Sequence, residues 1–147
     1  MVKAYTQCGP GRCRYSDPMN APVILVIEDS PVIWRLIRAS CEDMGTFEWE
    51  ADGVTGLSAV RRVMPDLVIL DIGLPNLDGW GVLAGIRTNR DTATIPVLVL
   101  TAHADSASRE KARTGGAQAF MTKPFRPSDL RTTIGLILDA TRDSTSS

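Results

Sequence analysis

The chain has 147 residues, and its 16 basic against 17 acidic side chains leave a net charge of −1. That is the length of one ordinary domain, and a composition that is 44% hydrophobic supplies a core without help from metals or disulfides. The near-neutral charge argues against binding nucleic acid through a basic stripe, and no run approaches the roughly 20 apolar residues that a membrane helix needs.

Residues 1–21 have no period of 2 or 3.6 and carry Gly9, Pro10, Gly11 and Pro18. They read as a flexible N-terminal extension, with no apolar run that would make a secretory signal. Three cysteines are an odd count, which disfavours a disulfide framework. Cys8 and Cys13 lie in the extension without the second ligand pair that a zinc site needs. Cys41 falls in a helical pattern and reads as a small buried apolar residue. A reducing, cytoplasmic setting fits this usage.

The domain itself is expected over residues 22–141. Val23, Ile24, Leu25, Val26 and Ile27 form a β-branched run of the kind buried on both faces of a sheet. Ser30 is placed to cap a helix with Pro31 at its first position. Ile33, Leu36, Ile37, Ser40, Cys41 and Met44 then make its inward face, and Gly45 ends it. Residues 47–51 alternate and predict an edge strand. A second helix spans 54–64, stopped by Pro65. Residues 67–70 and 97–100 are further apolar strands, separated by a third helix over 77–88. That helix carries Gly79, Gly81 and Gly85, so its intrinsic propensity is poor. A fourth helix covers 106–114, and a weaker fifth strand covers 117–122. Ser128 caps a fifth helix with Leu130, Ile134, Ile137 and Leu138 inward, and polar residues 142–147 read as a frayed tail.

Five βα units in succession predict an α/β fold, a three-layer α/β/α sandwich around a five-stranded parallel sheet. The commonest solution is the flavodoxin-like strand order 2-1-3-4-5, whose working site lies at the carboxyl ends of strands 1 and 3. There the strands end in Glu28 and Asp29, in Asp71, in Thr101 and in Lys123. One polar strand end signifies little, because strand ends reach water. Four at once, carrying carboxylates, a hydroxyl and an ammonium, make a site.

Three converging carboxylates repel unless a cation joins them. Mg²⁺ suits, since it takes one or two carboxylates and keeps positions for water and phosphate oxygens. Asp29 and Asp71 are the natural direct ligands, with Glu28 acting through a water. Gly73 can offer its carbonyl to a closely approaching ion. Lys123 supplies a point charge for an anion and Thr101 a hydroxyl donor. Such a pocket is built to set a phosphoryl group against Asp71, whose in-line attack would give an aspartyl phosphate.

The segments VILVIEDS around Glu28 and Asp29, LVILDIGLPNLDG around Asp71, VLVLTA around Thr101 and FMTKPF around Lys123 resemble the receiver domain of two-component response regulators. The resemblance covers about residues 22–140, with four motifs in order. It implies that Asp71 is the phosphoacceptor, fed by a histidine kinase or a histidine phosphotransfer protein. It makes Glu28 and Asp29 the acidic pair, Gly73 the carbonyl ligand and Lys123 the phosphate-contacting lysine, next to a cis bond to Pro124. Thr101 becomes the switch hydroxyl and Phe120 the switch aromatic, a position where many members carry Tyr. The face of helix 4, strand 5 and helix 5 would meet a downstream protein. No output domain is evident, so a diffusible regulator, a relay intermediate and a piece of a larger regulator all fit.

Two rivals share the topology. An aspartate-nucleophile phosphohydrolase needs a second acid two residues after the nucleophile, where this chain has Gly73. A flavin mononucleotide carrier needs a Thr/Ser/Gly phosphate loop after strand 1, where Glu28, Asp29, Ser30 and Pro31 stand instead. Trp34 reads either as a flank covering the core or as an exposed partner anchor. Trp49 and Trp80 read as packing residues, His103 as a solvated loop residue, and Arg109, Lys111 and Arg113 as the wet face of helix 4.

Overall fold

The computed structural model describes residues 21–103 and 105–146, the last five by backbone alone. The N-terminal extension, with Cys8 and Cys13, lies outside the described residues up to position 20. Five parallel strands, β1 (Val23–Ile27), β2 (Thr46–Glu50), β3 (Leu67–Asp71), β4 (Val97–Thr101) and β5 (Ala119–Thr122), run in the order β2-β1-β3-β4-β5. The expected sheet is therefore the observed one. The crossovers are α1 (Pro31–Cys41), α2 (Gly53–Val63), α3 (Gly79–Thr88) and α4 (Ser106–Thr114), and α5 (Pro127–Ser146) follows β5.

The three central strands are apolar on both faces because both faces are covered. One side packs Ile24, Val26, Ile69, Leu98 and Leu100 against Ile37, Cys41, Leu130 and Ile134 of α1 and α5. The other packs Leu25, Ile27, Val68, Leu70 and Val99 against Ala59, Val60, Val82, Leu83 and Ile86 of α2 and α3. Ala112 is the one buried residue of α4.

Four helices start on a side-chain cap that accepts a backbone N–H three residues on: Ser30 from Ile33, Asp52 from Thr55, Asp78 from Gly81 and Asp105 from Ser108. These caps adjust several boundaries. The third helix starts at Gly79, after Asp78, not at residue 77. The first helix ends at Cys41, and a 3-10 turn over Glu42–Met44 carries Met44 into the core. Leu36, expected inward, is 38% exposed, since Ile37 and Cys41 fill the space against the sheet. The fifth helix includes Pro127, and Leu130 N–H already donates to the Arg126 carbonyl at 3.1 Å. Ser128 is thus inside the helix and is not its cap. Pro127 takes the opening position, where a missing N–H costs nothing. The helix also continues through Ser146, over residues expected to fray.

The glycines of α3 have a packing reason that propensity does not reveal. A Cβ on Gly79 would lie 2.5 Å from the Asp71 carbonyl oxygen and from the Ile72 Cα, so only glycine lets the helix start against the end of β3.

Arg87, in the last turn of α3, ties together the loop before β4 and the loop before β5. Its guanidinium donates to the carbonyls of Ala93 at 3.1 Å, Ile95 at 2.7 Å and Gly116 at 2.8 and 3.2 Å, and to Gln118 Oε1 at 3.0 Å. Gln118 Oε1 also accepts from Val97 N–H at 2.8 Å, at the start of β4. Arg87→Ala strands these acceptors together and is expected to cost about 2–4 kcal/mol. Urea unfolding checks this; a loss within the scatter of a surface substitution would contradict it.

Candidate functional site

The register brings the polar strand ends to one edge. Ile27 pairs with Leu70, so Glu28 stands level with Asp71. Asp71 pairs with Leu100 and Thr101 with Thr122, which puts Thr101 one step and Lys123 two steps further out along β4 and β5. Glu28, Asp71 and Thr101 are buried at the ends of their strands, 1%, 4% and 3% exposed, while Asp29 is exposed.

Lys123 organises the pocket. Its Nζ lies 3.1 Å from Asp71 Oδ1 and 3.2 Å from Glu28 Oε1. Glu28 Oε2 accepts Ser30 N–H at 3.1 Å, and Asp71 Oδ1 accepts Gly73 N–H at 3.3 Å. Thr101 Oγ1 accepts His103 N–H at 3.1 Å, and Thr101 O accepts Lys123 N–H at 2.8 Å. The peptide bond from Lys123 to Pro124 is cis.

Burial pushes the Glu28 carboxyl up to about 7, with the Asp71 charge adding to the rise; Ser30 N–H and Lys123 work against it. Burial disfavours the Lys123 ammonium, but Asp71 and Glu28 outweigh that and hold its pKa above the ordinary value. The site therefore carries more negative charge than it can hold comfortably.

Glu28, Asp29 and Asp71 each offer a carboxylate oxygen within 4.8 Å of the others. All-oxygen donors at this spacing fit a hard divalent cation held by two direct ligands and a third through water. Gly73 is exposed, with nothing within 4 Å of where a Cβ would stand, so its backbone is open to an ion.

The switch candidates lie on the adjoining flank. Phe120, partly buried in β5, has the Arg109 guanidinium 4.9 Å above its ring. Lys111 Nζ stands 4.9 Å over Trp80 in the same way. Arg109, Lys111 and Arg113 are exposed, as expected of a wet face, yet two of them cap aromatic rings, which helical spacing alone does not reveal. His103 is exposed. Trp34 covers the core: it stacks on Trp49 at 5.5 Å and 11° and leans on Phe47 at 6.2 Å. Trp49 does more than pack, since its Nε1 donates to the Glu28 carbonyl at 2.7 Å.

A doubly wound parallel sheet with an acidic pocket and a facing lysine at its switch point defines a phosphate-handling class of α/β domain. Residues 24–135 match the response regulator receiver domain, and the chain belongs to that family. It is 35% identical to the DNA-binding dual master transcriptional regulator RpaA of Synechocystis, over 82% of this chain and 50% of that one. The chain spans about half the length of the curated relatives it matches. The Vibrio cholerae chemotaxis protein CheY4 superposes with a TM-score of 0.74 at 25% identity, covering 80% of this chain and 98% of that one. The receiver domain of the sensor histidine kinase PA1611 of Pseudomonas aeruginosa, with magnesium coordinated in its active-site cleft, gives 0.73 at 28% identity, with the same coverage.

Because the Glu28 pKa is higher folded than unfolded, the folded chain holds that proton more tightly. Metal-free stability should then fall as pH rises from about 4.5 to about 7 and level off above. The drop is on the order of 2 kcal/mol. Urea midpoints across that range, compared with Glu28→Gln, check it; the variant should lose the decline, and a wild type without one would contradict the assignment.

Proposed function

We propose that this chain is the phosphoacceptor of a two-component or phosphorelay system, and that Asp71 takes its phosphoryl group from a phosphohistidine. The donor is a histidine kinase or a histidine phosphotransfer protein. The carrying observation is Lys123, set 3.1 Å from Asp71 and 3.2 Å from Glu28 inside a pocket of three carboxylates.

Asp29 and Asp71 would hold Mg²⁺ directly, Glu28 through water, and Gly73 by its carbonyl. The ion supplies charge neutralisation for the phosphoryl oxygens. Asp71 Oδ1 is engaged by Lys123 and Gly73, so Oδ2 is the oxygen presented for attack. The Oδ2–P bond forms as the donor's P–N bond breaks, and the released imidazole nitrogen takes a proton from water. Lys123 then contacts the phosphoryl oxygens, where a positive charge in a half-dry pocket counts most.

The signal starts at Thr101. Its hydroxyl turns from His103 N–H to the phosphoryl group, and Phe120 turns into the vacated space. That turn breaks the Arg109 contact, worth about 0.5–1 kcal/mol at an exposed site. The face of α4, β5 and α5 then changes its affinity for a downstream protein in the cytoplasm. The phosphoryl group biases this equilibrium because only one arrangement lets Thr101 bond it. Among the described residues no helix is long and apolar enough to cross a membrane. For the rival phosphohydrolase, the place of its second acid is Gly73, whose side-chain position is open space.

Asp71→Asn should abolish labelling by acetyl phosphate with Mg²⁺, followed by intact-mass spectrometry, and undiminished labelling would reject the assignment. Arg109→Gln removes the cation from the resting position of Phe120. It should raise the apparent affinity for beryllofluoride by roughly twofold to fivefold. An unchanged affinity would show that this contact does not restrain the switch.

A further inference from the structure

The backbone of Glu28 is held at both of its polar groups. Its N–H donates to the Glu50 carbonyl at 3.0 Å. Its carbonyl lies one residue beyond the paired part of β1, whose last partners are those of Ile27. On the β3 side, Ile72 N–H is turned toward the Leu100 carbonyl at 3.1 Å and is not available. A carbonyl at this edge needs a donor, because burying it unpaired is costly. The donor comes from a side chain, the Trp49 indole, at 2.7 Å. Trp49 in turn is stacked on Trp34 at 5.5 Å, with ring planes 11° apart, and Trp34 belongs to the helix that begins directly after the acidic pair.

We propose that Trp49 is a positioning residue for the acidic pair. By gripping the Glu28 carbonyl from the edge strand, it sets the orientation of the peptide that joins Glu28 to Asp29. Both carboxylates are thereby aimed toward Asp71. Trp34 keeps the indole from rotating, so the grip is two-sided. Trp49 touches no reacting atom and acts only through Glu28. The inference rests on the metal-dependent reading above, and predicts that cation affinity depends on an indole N–H outside the pocket.

The test is a Mg²⁺ titration of the full chain followed by heteronuclear NMR, which reads the Asp71 and Gly73 amides separately from the tryptophan indole signals. The Trp49 indole signal should move with the same midpoint as the Asp71 amide. Trp49→Phe keeps an aromatic ring against Trp34 and loses the donor; its Mg²⁺ midpoint should rise roughly tenfold. A merely structural role would lower the urea midpoint of that variant and leave its Mg²⁺ midpoint at the wild-type value, which would overturn the proposal. Should Trp49→Phe not fold, the wild-type indole decides: silence while the Asp71 amide shifts overturns the positioning role alone. No shift at Asp71 in the wild type would overturn the metal reading and this inference with it.

Discussion

Everything at the carboxyl edge depends on one electrostatic conflict. Two buried carboxylates, Glu28 and Asp71, stand level on adjacent strands where water cannot screen them well. Lys123 offsets the repulsion by lying between them, and its pKa is raised in return. The balance is incomplete, since the Glu28 carboxyl remains pushed up to about 7. A pocket in this condition favours whatever adds positive charge, and then whatever gives that charge an oxygen-rich partner. Its appetite for a cation and for a phosphoryl group has the same origin.

The conflict is sustained by a scaffold that cannot relax to relieve it. The acidic residues are extensions of strands whose apolar side chains are sealed on both faces by helices. Moving the Glu28 backbone away from that of Asp71 would mean slipping β1 against β3, which turns buried side chains to the wrong face. Gly79 tightens the arrangement from the other direction, because α3 begins in direct contact with the backbone of Asp71. The strain is therefore confined to side-chain charge, where a ligand can reach it.

Much of this was legible in residue order. β-branched runs mark strands that need cover on both sides, and alternation with helical periods leaves few topologies. The doubly wound sheet then says which strand ends meet, so the convergence of Glu28, Asp29, Asp71 and Lys123 follows from pattern. What could not be read were contacts set by how helices rotate over the sheet. Leu36 sits at the margin of an apolar stripe, and only packing decides that Ile37 takes the inner place. Arg87 looks like the polar side of a helix, yet its acceptors come from segments up to 31 residues away. The glycines of α3 suggested weakness because propensity ignores close approach. Trp49 was legible as an aromatic in an edge strand, but not as the donor to a carbonyl 21 residues earlier.

The sparse anchorage of α4 has a consequence for the switch proposed above. This helix places only Ala112 in the interior, and otherwise leans on cations laid over Phe120 and Trp80. Displacing it forfeits almost no sealed hydrocarbon, whereas displacing any neighbour would open the middle of the molecule. Under the proposed switch, a phosphoryl transfer worth only a few kcal/mol would go almost wholly into rearranging one exterior segment. On that reading a partner outside would sense the yielding helix while the interior stays closed.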